Sequence, residues 1–159
     1  MKLKYGWYWY LITLNGIAKI FEVIFLINGF CLSFYKIIEC NVNAPPQLCI
    51  SMLWGYYLFA VFAMLLAVSI MVIVLGHLIM PDDITDGSQS MEIRFCIAVA
   101  FPLLVASIAC VASNRKEANY LFKPYGFQVN ENIQAVTGGF GFATLVCLIL
   151  ECSCLKRAL

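Results

Sequence analysis

GIAKIFEVIFLINGF, residues 16–30, sets Lys19 and Glu22 inside an otherwise apolar run. At the centre of a bilayer each such charge costs about 2.5–3.5 kcal/mol on insertion scales. A run that keeps both needs a partner for them, and the rest of the chain fixes the solvent in which that partner is sought. Of 159 residues 63% are apolar and only 12% charged, and mean hydropathy is +0.89. Those values lie outside the range of soluble domains and define an integral membrane protein.

A spanning helix needs about 20 mostly apolar residues, and four runs supply them. The first lies between Trp7 and Ile38, the second runs from Ile50 to Ile79, the third from Phe95 to Ala112 and the fourth from Ile133 to Leu150. Backbone amides in lipid must be satisfied within their own segment, which selects helices over a barrel lacking ten-residue alternation. The expected fold is all-α, a four-helix transmembrane bundle forming a single domain over residues 1–159. The connections and tails leave no room for a soluble domain.

From Trp7 to Ile38 a helix would extend about 48 Å, too long for one crossing. A span from Ile17 to Ile38 instead leaves Lys19 able to snorkel, Glu22 about a turn deeper, and YGWYWY with Lys2 and Lys4 in the interface. No small-residue cleavage site follows a short apolar core, so the start does not read as a signal peptide.

With both termini cytosolic, the inner side carries Lys2, Lys4, Lys19, Arg94, Lys156 and Arg157, against Lys36, Arg115, Lys116 and Lys123 outside. This is a slight positive-inside excess. Cys40 and Cys49 bracket ECNVNAPPQLC, where Pro45–Pro46 can bend the chain to bring them together, and an oxidised pair belongs on the luminal or extracellular side. Cys152 and Cys154, in ECSCLKR beside the membrane, are candidates for S-palmitoylation on a cytosolic tail. Cys31, Cys96, Cys110 and Cys147 read as packing residues within the spans.

Helices in lipid approach closely through small side chains. The fourth span offers Ala135, Gly139, Ala143 and Cys147 at spacing four, and the third offers Ala98, Ala106 and Cys110 with Pro102 between. Gly139 and Ala143 are therefore the candidate helix-packing residues, with the two stripes expected to meet. On the first span Asn15, Lys19, Glu22, Gly29 and Ser33 share one face. Lys19 and Glu22 are expected to pair there as an intramembrane charge pair that sets register. With no matching charges on the other spans, such a pair makes a poor ion path.

The same stretch, GIAKIFEVIFLINGFCL, resembles the first span of MARVEL-domain proteins, in which a Gly and a basic residue open the helix and an acidic or amide residue follows three positions on. AVTGGFGFATLVCLILE is similar to the family's fourth span, with small residues and a Phe-Gly-Phe-like element before a run ending in an acidic residue, here Glu151. The second and third spans match by hydropathy alone. The resemblance implies a left-handed four-helix bundle with cytosolic termini, in proteins of vesicle trafficking, membrane apposition and cell junctions such as the synaptophysins and occludin. The Gly-Leu-Trp element and long first loop of claudins are absent, as is the Cys-Cys-Gly of tetraspanins.

Catalytic constellations are thin. His77 is the only histidine, so multi-histidine metal sites and Cys/His nucleophilic arrangements lack parts, and it reads as an interfacial residue. PDDITDGSQSME places Asp82, Asp86 and Gly87 as a calcium loop would, but Ile84 and Ile93 occupy ligand positions, which leaves a solvated acidic turn. A net charge of +1 offers no nucleic-acid surface. No cofactor is expected, and the partners are the lipid bilayer and other membrane proteins or further copies of the chain. The leading expectation is a non-enzymatic organiser in the plasma or a vesicle membrane, acting by lateral association. A small channel or transporter subunit using the Lys19/Glu22 face comes second, and a lipid-modifying enzyme built on His77, Asp82 and Asp83 third.

Overall fold

A computed structural model describes residues 13–79, 86–113 and 115–158 of the chain. Its elements are α1 (Leu14–Asn43), α2 (Pro46–Met52), α3 (Trp54–Ile79), α4 (Asp86–Ala112), α5 (Arg115–Phe122), a short 3-10 turn (Lys123–Tyr125) and α6 (Glu131–Ala158). The aromatic run at residues 5–10, Lys2, Lys4, Asp82 and Asp83 lie outside the described residues. Four helices, α1, α3, α4 and α6, are long and apolar enough to cross a membrane. The chain is an all-α integral membrane protein with four candidate spans.

The spans run up, down, up, down, so one end of the bundle gathers the α1–α3 and α4–α6 connections and the other the α3–α4 connection and the start of α1. In cross-section α1 packs on α3 and α6, and α4 packs on the same two helices from the opposite side. The first helix begins where Thr13 accepts a hydrogen bond from the Gly16 amide at 3.2 Å, an N-cap that satisfies one of the unpaired first-turn donors. Its buried residues, Gly16, Lys19, Glu22, Leu26, Gly29, Ser33, Lys36, Ile37 and Cys40, recur every three or four positions. That is the period of a single helix face. The outer face, with Ile20, Phe21, Ile24, Ile27 and Phe34 exposed, is left to lipid.

Phe59 of α3 is fully buried at the centre, and two glycines make room for it. A Cβ on Gly29 of α1 would stand 2.7 Å from the Phe59 ring, as would one on Gly141 of α6, which would also strike the Ser107 hydroxyl of α4. Gly138 likewise faces Val111 and the Ser107 carbonyl. These glycines set the close approach of α6 to its neighbours, which corrects the expected stripe. Gly139 is exposed, with nothing within 4 Å of an added Cβ, and Ala143 is half-buried. A helix advances 100° per residue. The one-position shift from Gly138 to Gly139 therefore turns the stripe away from the core, because the inward face is set by Gln134, Thr137, Thr144 and Glu151. On α4, Ala106 and Cys110 are buried as expected, whereas Ala98 is exposed. Pro102 lies inside α4, which continues past it.

Short helices close the connection end. Cys40 and Cys49 stand at disulfide-bonding distance, with Cα atoms 5.9 Å apart, and both are fully buried. The bend that joins them is a helix start: Pro46 occupies the first turn of α2, where a missing N–H costs nothing, and the Pro45 carbonyl accepts from the Leu48 and Cys49 amides. On the other connection α5 turns Ala118 and Phe122 inward, and Phe122 meets Phe127 edge to face at 5.0 Å between ring centres. Asn119 fastens the return, its Oδ1 accepting from the Val129 amide at 2.7 Å. Asn130 then caps α6 by accepting from the Asn132 amide at 2.9 Å.

Candidate functional site: a buried ionic cluster

Ionisable side chains from all four spans converge toward the end of the bundle opposite the cysteine pair. Lys19 and Glu22 project from α1, His77 from the last turn of α3, Glu92 from α4 and Glu151 from α6. Lys19 is 1% exposed, Glu22 0% and Glu151 1%. Charges this deep are sustained only by one another.

Lys19 Nζ contacts Glu151 Oε1 at 2.5 Å. This corrects the expected Lys19–Glu22 pair. Both residues of α1 point into the bundle, and the antiparallel approach of α6 sets Glu151 directly against the ammonium. Glu22 stays near enough to act on Lys19 electrostatically and lies within hydrogen-bonding reach of Glu151. Neither of its oxygens has a hydrogen-bond partner among the described residues. His77 Nε2 lies 3.2 Å from Glu92 Oε1, and its Nδ1 lies 2.8 Å from the Ile73 carbonyl. The histidine is thus a member of the cluster and not an isolated interfacial residue.

Two thiols border this group. Cys152 packs on the core and reaches Cys96 of α4, while Cys154 is half-buried further along. Among the described residues no three His, Cys, Asp or Glu side chains are grouped to hold a metal ion.

Glu92 and Glu151 supply acidic partners that the sequence reading did not find on the other spans, and His77 stands against Glu92. Glu92 and Glu151 lie just beyond the apolar runs at Phe95–Ala112 and Ile133–Leu150, but their helices extend a turn or more past those limits. The readable signal was there: each is an acidic residue abutting a spanning run, and extending each run by one helical turn brings both inside.

A second polar site lies at the connection end, where Arg115 pairs with Glu131 and a cavity of about 410 Å³ is bounded by Val111, Ser113, Lys116 and Gln134. There too Lys36 pairs with Glu39 at 2.5 Å and stands 5.6 Å from the centre of the Phe127 ring.

The fold and the cluster together define a membrane protein with four candidate spans, the first and last of them joined by a buried ion pair. Comparison with protein-family models, with curated proteins and with solved structures finds no match.

Proposed function

We propose that this chain is a non-enzymatic multi-pass membrane protein that organises membrane microdomains, vesicle trafficking, membrane apposition or cell junctions through lateral association. The observation that carries the reading is the outer face of α6. Ala135 and Gly139 are exposed and Ala143 and Cys147 half-buried at spacing four, and open space surrounds Gly139. Since the bundle does not use this stripe, a neighbouring helix can approach it closely. A MARVEL-like layout agrees with the reading. The disulfide-distance cysteines favour an orientation with their end outward and both termini cytosolic, and Cys154, with Cys152 turned toward Cys96, becomes the better acylation site. Cross-linking of the full chain in vesicles tests the proposal: dimers or larger species should form, and Gly139→Leu or Ala143→Leu should reduce them.

One observation favours a second reading, a small channel or transporter subunit: ionisable side chains from four helices meet in one place. It ranks below the first because Lys19, Glu22 and Glu151 are closed off from solvent. Flux measurements on reconstituted vesicles separate the two. Ion currents lost on Glu22→Gln would put transport first.

A further inference from the structure

The charges around Glu22 do not balance. Glu151 takes Lys19 at 2.5 Å and Glu92 takes His77 at 3.2 Å. Even with His77 counted as a cation, Glu22 is left over among the described residues. It is fully buried, neither of its oxygens has a hydrogen-bond partner among the described residues, and it faces Glu151 within hydrogen-bonding reach. Ionised carboxylates only accept hydrogen bonds, so nothing joins these two until one of them carries a proton. A buried carboxylate without a partner is costly enough that neutralisation is the ordinary outcome.

We infer that Glu22 holds a proton, which makes the cluster a proton-binding site on the first span. The proton arrives as hydronium: one O–H bond of hydronium breaks, one forms on a Glu22 oxygen, and water leaves. The new hydroxyl donates to the Glu151 carboxylate, whose Oε1 faces Lys19. The other ionisable groups facing this pair are Lys19 on α1, Glu92 and Cys96 on α4, and Cys147 and Cys152 on α6, while His77 of α3 faces Glu92. Lys19 favours an ionised carboxylate, and Glu92 opposes a further negative charge. A metal ion is a poor substitute for the proton, because the described acidic, histidine and cysteine side chains are not grouped to ligate one. The inference goes beyond lateral association and holds whether or not copies associate.

Infrared spectroscopy of the full chain in phosphatidylcholine vesicles tests it at neutral pH, where solvent-exposed carboxyl groups are ionised. The expected spectrum contains a carboxylic-acid C=O band equivalent to one group per chain. That band disappears in Glu22→Gln and persists in Glu39→Gln, which lies at the other end. Its absence from the parent overturns the proposal, and that reading requires no variant. An undiminished band in Glu22→Gln also overturns it. Should Glu22→Gln fail to insert, Glu151→Asp keeps the charge and is expected to shift the band; an unshifted band counts against a Glu22 hydroxyl that donates to Glu151.

Discussion

Lys19 and Glu151 meet across the α1–α6 interface at 2.5 Å, one to two turns from where α1 begins and α6 ends at the same end of the bundle. The pair ties the first span to the last. Removing one partner strands the other charge in a low-dielectric interior, whereas removing both does not.

A double-mutant cycle on Lys19→Met and Glu151→Gln, read by thermal unfolding in detergent, should therefore show each single change destabilising by about 3–5 kcal/mol. The double variant should recover part of that loss. The corresponding cycle on Lys19 and Glu22 should give the smaller coupling, because the ammonium contacts Glu151.

Gly141 and Gly139 are two positions apart and should respond in opposite ways. Gly141→Leu drives a side chain into Phe59 and Ser107 and is expected to destabilise the bundle by about 1–3 kcal/mol or more. Gly139→Leu enters open space and should leave the melting temperature of the dispersed monomer unchanged. Equal losses from both would mean that Gly139 also lies in the core.

Impermeant thiol reagents should reach Cys40 and Cys49 in intact cells only after reduction, since the two stand at bonding distance. Reduction of that short loop should lower stability by about 2–3 kcal/mol. Labelling of Cys154 in intact cells without permeabilisation would invert the proposed orientation.

Asn119 holds the Val129 backbone from ten residues away. Asn119→Ala leaves that amide without its partner and should cost about 1–3 kcal/mol. Hydrogen exchange should show lost protection confined to Val129 and its neighbours, with the spans unaffected.

Much of this architecture is legible in the sequence because lipid leaves so few options. Four apolar runs, the Lys19/Glu22/Ser33 face and the Cys40/Cys49 bracket all follow from hydropathy, helical period and proline placement. The partners were harder to read. Lys19 has an acidic residue three positions away on its own helix and another 132 positions away on α6, and only the antiparallel docking of α6 decides between them. Gly138, Gly139 and Gly141 look alike in sequence. Their roles separate only when Thr137, Thr144 and Glu151 fix which side of α6 turns inward. The α5 cap was missed because eight residues opening on Arg115, Lys116 and Glu117 carry little hydropathic signal, and their burial rests on Ala118 and Phe122 alone.

Lateral association through α6 is tested most directly by energy transfer between donor- and acceptor-labelled copies of the full chain, diluted in phosphatidylcholine vesicles. Transfer in the parent should exceed that of randomly placed chains at the same density. It should fall to the random level in Gly139→Leu and stay at the parent level in Gly76→Leu, which adds the same side chain at an exposed glycine of α3 with open space around it. Parent transfer at the random level, or equal transfer in all three proteins, would contradict it.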